Sequence, residues 1–313
     1  MPPRRAYAFP SYTELLSAQK FCNEIECAQY LMDMKILPTK HRCSYCDVHM
    51  KLRPCSRSMY RERCCWKCSC GTTKSIRAES VLEGSSISYS SFILLLSCFA
   101  EELLPPAAAA RCVLSENTVR RLYTIIRQQM AEELATSNMI GGPGRVVELD
   151  EAKFGKQKYN RGRLVEGTWV IGGVERGSSS CFMKVLPLNK RDAATMIPII
   201  QQHVAPGTTI ITDCWRAYNR LSSLGYIHLT VNHSRQFVDP VTGAHTNGVE
   251  GTWTHAKRAT LRRGGRRSPD SLDADLSAFA WMRQHGLTGD RDRARHLFSR
   301  DIPRLLNYRK FRC

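Results

Sequence analysis

Acidic side chains are scarce in this 313-residue chain: 28 Asp and Glu stand against 46 Lys and Arg, for a formal net charge of +18. The sequence pI is near 9.5. Such an imbalance favours a polyanionic partner, nucleic acid first and anionic membrane second. Charge carried for solubility alone explains it less well, because the basic residues cluster. Membrane-length apolar runs are missing too. The stretch Phe92-Ile93-Leu94-Leu95-Leu96-Ser97-Cys98-Phe99-Ala100 is too short to span a bilayer. No apolar core follows the start Met1-Pro2-Pro3-Arg4-Arg5-Ala6-Tyr7, so no secretory signal is expected. A spread-out disulfide framework is also absent, since seven of the fourteen cysteines crowd into residues 43–70. The expectation is an intracellular chain of about two domains in a reducing compartment, with neither a membrane partner nor a small-molecule substrate.

The scarce acids fall in a pattern. In Arg145-Val146-Val147-Glu148-Leu149-Asp150-Glu151, Val147 and Leu149 alternate with Glu148 and Asp150, which predicts a β-strand. An anion beside an apolar face must be paired or bound to a metal. Thr208-Thr209-Ile210-Ile211-Thr212-Asp213 repeats the theme, an apolar strand ending on one acid. Glu250 opens a helix-like segment, Thr246 to Lys257. Two acids on strands and a third on a later helix suit two magnesium (or manganese) ions, hard cations held through oxygen.

The run Val147-Glu148-Leu149-Asp150-Glu151, with Lys153-Phe154-Gly155-Lys156 after it, resembles the catalytic domain of Merlin-type DDE transposases and their bacterial insertion-sequence relatives. So do Gly167-Thr168-Trp169-Val170-Ile171-Gly172-Gly173, Asp213-Cys214-Trp215-Arg216-Ala217-Tyr218, Val231-Asn232-His233-Ser234 and the long stretch Phe237 to Glu250. The resemblance covers most of residues 145–258. It implies an RNase H-like fold, with Asp150, Asp213 and Glu250 as the metal-binding triad. The family also places a basic residue seven positions after its third acid, and Lys257 stands there. Its register favours a phosphate contact over a solvated lysine. His233 and His245 fall near the site by sequence and can equally support their loop. Trp215 and Trp253 read as core or DNA-stacking residues.

Zinc wants four thiolates in a tetrahedron, and two cysteine pairs on tight turns supply them. Cys43-Ser44-Tyr45-Cys46 is the first pair, and the distance from Cys46 to Cys65 fits a zinc ribbon. The second pair is open, because Cys64, Cys65, Cys68 and Cys70 are all available. Cys65 with Cys68 has the commonest spacing. The resemblance favours Cys65 with Cys70, since in the family a Ser-Ile-Arg element, here Ser75-Ile76-Arg77, follows the last ligand at this interval. The expected set is therefore Cys43, Cys46, Cys65 and Cys70. A structural zinc that never touches DNA fits the same residues.

Apolar spacing predicts a helix over 11–35, a second from Phe92 to Leu104 stopped by Pro105-Pro106, and a short alanine-rich helix from Pro106 to Cys112. Ser115 caps a fourth, Glu116 to Gln129. Short helix, turn and capped helix form a helix-turn-helix, which would turn Glu116, Asn117, Arg120 and Arg121 toward DNA. A helical bundle with a charged solvated face reads the same, and the family's layout tips the balance toward DNA. Gly141-Gly142-Pro143-Gly144 reads as a linker. Strands at 147–152, 168–174, 181–187, 208–213 and 227–231, with helices at 191–203 and 215–224, predict a mixed sheet flanked by helices. Arg258, Arg262, Arg263, Arg266 and Arg267 then make a basic strip that suits phosphate binding or nuclear import. An amphipathic helix from Asp273 to His285 precedes a basic tail.

The expected architecture is multidomain α/β: a helical segment (1–40), a zinc ribbon (41–78), a helix-turn-helix region (79–140), an RNase H-like catalytic domain (145–268) and a basic helical tail (269–313). The expected activity is magnesium-dependent cleavage at transposon ends and joining of the 3′-OH to target DNA, by a homodimer on paired ends of duplex DNA. A domesticated DNA-binding descendant without transposition is the alternative. The nucleus is the expected location in a eukaryotic host, the cytoplasm otherwise.

Overall fold

The computed structural model describes residues 23–54, 64–136, 139–155, 167–231, 245–262, 268–288 and 300–307. The chain divides into two compact units, one reaching Gln129 and including Gly289–Cys313, the other Met130–Thr288. The first unit opens with helix α1 (Glu24–Asp33), capped by the Asn23 side chain, which accepts from the Ile25 amide at 2.9 Å. The part of the expected helix before residue 23 lies outside the described residues. Strands β1 (Lys51–Pro54), β2 (Cys64–Lys67) and β3 (Thr73–Lys74) form a small antiparallel sheet. Helices α2 (Tyr89–Ala100), α3 (Pro105–Cys112) and α4 (Glu116–Ala135) follow. α2 stops short of the expected Leu104 because Glu102 turns to φ 54° and the Leu103 amide folds back onto the Cys98 carbonyl at 2.9 Å.

The second unit is built on a five-stranded sheet. Its strands are β5 (Val146–Phe154), β6 (Thr168–Glu175), β7 (Cys181–Val185), β9 (Thr209–Asp213) and β10 (Ile227–Val231), in the order β10-β9-β5-β6-β7. β5, β6 and β7 run antiparallel, whereas β9 lies parallel to both β5 and β10. The two-residue alternation of β5 sorts its side chains onto two cores. Val147 and Leu149 pack with Met196, Ile197 and Ile200 of helix α5 (Ala193–His203). Ala152 and Phe154 pack on the opposite side with Val249, Trp253 and Ala256 of α6 (Asn247–Arg262) and Leu276 and Phe279 of α7 (Pro269–Gln284). Among the described residues, no helix is long and apolar enough to cross a membrane.

Three expectations are corrected here. The segment 215–224 is two 3-10 turns, Arg216–Tyr218 and Ser222–Leu224, rather than a helix. The Trp215 amide bonds the Asp213 side chain at 3.0 Å, and this local turn bends the chain so that Tyr218 and Leu221 enter the core. The glycine run is no free linker: β4 (Ile140–Gly141) pairs with β8 (Val204–Ala205), and the Gly142 amide donates to Thr208 Oγ1 at 2.8 Å. α7 starts at Pro269 behind the capping Ser268, and Asp273 on it accepts from Lys184 and from the Val185 amide of β7. It therefore belongs to the sheet unit, not to a separate tail.

Glu148 is the one side chain of β5 that locks strand to helix by charge. It is 1% exposed. Its Oε1 accepts from Arg176 Nε at 2.6 Å, and its Oε2 accepts from the Val249 amide at 3.0 Å, in the first turn of α6. Arg176 also donates to the His245 carbonyl at 2.6 Å. A carboxylate suits a helix N-terminus, where amides are unsatisfied and the dipole is positive. Gly248 allows the approach, since a Cβ there would lie 2.8 Å from Glu148 Oε2. Glu148→Ala leaves Arg176 and these amides without their anion. We expect a loss of about 3–5 kcal/mol in denaturant unfolding, with Glu148→Gln recovering part of it.

Candidate functional site

The three acids of the pattern come from three elements. β5 pairs with β9 through Val146 with Thr209 and Glu148 with Ile211. Carried two residues on, that register sets Asp150 beside Asp213. Asp150 points to the α6 side of the sheet, where Trp253 Nε1 donates to its Oδ2 at 3.1 Å. Glu250 lies one turn before Trp253 on the same helix, and its Oε1 accepts from Thr246 Oγ1 at 3.1 Å. Burial first, and then the charges of Asp213 and Glu250, push the Asp150 carboxyl up to about 6, against hydrogen bonds from the Glu151 backbone and Trp253. An all-oxygen set of mutually repelling carboxylates, one of them half-buried, fits a hard divalent cation. The three are not gathered as tightly as ligands of one ion would be, for among the described residues only four thiols meet that condition.

Gly172 makes room for this arrangement. It is the register partner of Asp150 on β6, and a Cβ there would fall 2.5 Å from the Trp253 ring. Trp253 also packs edge-on against Phe154, with ring centroids 5.9 Å apart. It is thus a core residue, as expected, with a polar task besides. Lys257 is half-buried on α6, its ammonium 5.7 Å from the centre of the Phe154 ring. His245 stands with its Nδ1 3.5 Å from Glu148 Oε1, in the support of the helix start.

The opposite face of β5 carries a second acid. Glu151 accepts from the Tyr218 hydroxyl in a very short contact, and Arg191 Nε is 3.6 Å from its Oε2. Burial pushes Glu151 up to about 7, with Tyr218 and Arg191 pulling the other way and Asp150 and Asp213 adding to the rise. Reading the sequence for metal acids passes over this group, and over Glu148. Their adjacency in Glu148-Leu149-Asp150-Glu151 is the available signal: four residues with three acids on a strand cannot all face water.

The four thiols are Cys43, Cys46, Cys68 and Cys70, with ligand atoms all within 4.8 Å of one another. Cys68 therefore takes the place expected for Cys65. The reason is local. Cys65 sits inside β2 opposite Arg53 and is buried, whereas Cys68 starts the turn that follows the strand. The Gly71 amide closes that turn on the Cys68 carbonyl at 3.1 Å, with Gly71 at φ +93°. The sulfurs of Cys43 and Cys70 are 3.6 Å apart and those of Cys46 and Cys68 3.4 Å. Tetrahedral zinc with bonds of about 2.3 Å separates its sulfurs by about 3.8 Å, so the set fits that ion. Backbone amides of Cys46 and Tyr45 hold the Cys43 thiol down to about 6.

Between α3 and α4, Val113 takes the left-handed conformation at φ 53°, and Ser115 Oγ accepts from the Thr118 amide at 3.2 Å. Asn117, Arg120 and Arg121 are exposed, and Val119, Leu122 and Ile126 are buried. Arg120 bonds Glu116 through Nε at 2.8 Å. Arg258 is exposed on α6; Arg262 ends that helix; Arg263, Arg266, Arg267, His233 and Cys55 lie outside the described residues.

Against known proteins, residues 141–284 match the model of one transposase family, the ISXO2-like transposase domain. The match opens at β4 and ends with α7, so it takes in the whole sheet and the helices on it. An uncharacterized transposase-like protein of Haemophilus influenzae is 36% identical over 73 residues, 23% of this chain. The chain spans 58% of that relative's length. Among solved structures, the Mos1 transposase paired-end complex with left transposon end shares 11% identity, covering 61% of this chain and 76% of its own, at a TM-score of 0.24. A pre-cleavage Mos1 transpososome shares 12%, covering 62% and 78%, at 0.22. Scores this low carry no argument about the fold.

The raised Asp150 makes a pH prediction with a definite sign. Its folded-state value, about 6, lies above its ordinary value of 3.8. The stabilising contribution is therefore complete below the unfolded value and is lost as pH rises through about 6. At pH 7 without divalent ions the ionised form costs on the order of 3 kcal/mol. Asp150→Asn is expected to raise the melting temperature at pH 7 in chelator, and to leave it unchanged near pH 3.5. Thermal melts of the two proteins across that range check it.

Proposed function

We propose that this chain is a DNA transposase that binds duplex transposon ends, cuts them and joins each freed 3′-OH to target DNA. The observation that carries the reading is the half-buried Asp150 carboxyl, raised by burial and by the charges of Asp213 and Glu250, inside a segment that matches a transposase domain. The strand order, with Asp150 on the central strand and Asp213 on its parallel neighbour, supports an RNase H-like sheet. Two magnesium or manganese ions held by these carboxylates would activate the attacking oxygen, keep the phosphate in line and stabilise the leaving oxygen.

The residues themselves divide the work. Asp150, Asp213 and Glu250 would hold the ions through their carboxylate oxygens. Trp253 fixes the Asp150 carboxylate through Oδ2 and leaves its other oxygen for ligation. Glu148 holds the helix that delivers Glu250. Lys257, two turns beyond Glu250, takes a DNA phosphate. Water attacks first and leaves a 3′-OH, which then attacks the target phosphodiester at the same acids. A structural zinc on Cys43, Cys46, Cys68 and Cys70 shapes the first unit, and Asn117, Arg120 and Arg121 read duplex DNA from the N-terminal turns of α4. Arg258, Arg262 and Arg263 extend the phosphate contacts. Paired cutting of two ends asks for two chains, and a two-fold dimer is the default.

Two experiments test the reading. Asp150→Asn, Asp213→Asn and Glu250→Gln should each reduce cleavage and strand transfer on transposon-end DNA to background, with affinity for that DNA within a few-fold of wild type, because affinity rests on basic contacts. Substantial turnover by one of them in magnesium removes that residue from the site. For the thiols, metal analysis should find one zinc per chain, lost in Cys68→Ser and retained in Cys65→Ser, since Cys65 lies in the strand. The opposite result restores the other pairing.

A further inference from the structure

We propose that Arg191 is a phosphate-binding position of the catalytic unit, taking a non-bridging oxygen of a DNA phosphodiester on the α5 side of β5, across the strand from Asp150. This rests on the transposase reading and names a contact for it. Arg191 precedes α5, and its guanidinium carbon lies 4.6 Å from the centre of the Trp169 ring and 4.2 Å from that of Trp215. Trp215 is two residues past Asp213, and Trp169 pairs with Lys153 on β5, so the two indoles come from strands that carry or adjoin the acids. Cation–π contact with two rings fixes the guanidinium in position. Among the described residues it makes no hydrogen bond, and Glu151, at 3.6 Å, is the anion it approaches. The next acid in sequence, Asp192, is occupied in capping α5 through the Thr195 amide at 2.8 Å. The side chain is 33% exposed. A planar cation held on aromatic faces, part exposed, with only its Nε near Glu151, matches the forked geometry of a phosphate oxygen pair. Lys153 adds a second cation on the same ring, its ammonium 5.7 Å from the Trp169 centre.

The reverse reading, an arginine kept for packing and for Glu151 alone, assigns no role to its exposed edge. The two readings separate in solution. The full chain is titrated against a fluorescein-labelled duplex of arbitrary sequence at several salt concentrations, as wild type, Arg191→Gln, Arg191→Lys and Glu151→Gln. Each neutralised phosphate contributes about 0.9 to the slope of log affinity against log salt. Arg191→Gln should lose about that much slope and bind several-fold more weakly, Arg191→Lys should keep the slope, and Glu151→Gln should bind more tightly. A slope unchanged in Arg191→Gln overturns the proposal. Should circular dichroism show that variant unfolded, Glu151→Gln decides: affinity equal to wild type overturns it. Wild-type protein that does not bind duplex at all sinks the transposase reading itself, a different failure from loss of the Arg191 term.

Discussion

A buried carboxylate ties the sheet unit together. Glu148 leaves β5 toward the start of α6, where the Val249 amide and Arg176 meet it. Without that contact only the Trp253 bond to Asp150 would give a polar fix on how far α6 is rotated or slid along β5, since the rest of the contact is Val249, Trp253 and Ala256 on Ala152 and Phe154. Apolar contacts are non-directional and tolerate a shifted helix; a charge-assisted bond to one amide does not. Glu250 and Trp253 ride on that helix, and Trp253 in turn reaches Asp150. The alignment of two of the three acids is therefore set two residues away from either strand acid's own ligating atoms.

Much of this was legible beforehand, for physical reasons that differ by residue. The alternation of Val147 and Leu149 with acids announces β5, because a strand's period is two and one face must be apolar. The order of Asp150, Asp213 and Glu250 along two strands and a helix is equally visible. What sequence could not supply was which face each neighbouring acid takes and what waits there. Glu148 and Glu151 look like the same residue type in the same strand, yet one meets a helix N-terminus and the other a tyrosine and an arginine. The Cys65 and Cys68 question is similar. Spacing allows either, and only the end of β2 at Lys67 decides that Cys68 lies on the turn. The 215–224 segment misled because its helical spacing competes with an aspartate turn that spacing does not register.

The acids also divide the unit's electrostatics into two faces with opposite character. On the α6 face, Asp150 finds an indole N–H and two repelling carboxylates, so its charge is unwelcome until a cation arrives. On the α5 face, Glu151 finds a phenol and a guanidinium, which offset part of the cost of its burial. One strand thus carries an acid with no cation of the chain beside it in the described contacts next to one that has an arginine nearby. The two faces still feel each other, since the charges of Asp150 and Asp213 add to the rise of Glu151.

Gly172 has a consequence for how such a chain decays. Every other amino acid brings a Cβ, and at this position the Cβ meets the Trp253 ring that steadies Asp150. Any missense change of this one codon thereby displaces the indole and the carboxyl it holds, while the unit that holds the thiol cluster keeps its own core. On the proposed reading, a copy of the gene altered there alone would lose cutting and keep its grip on DNA.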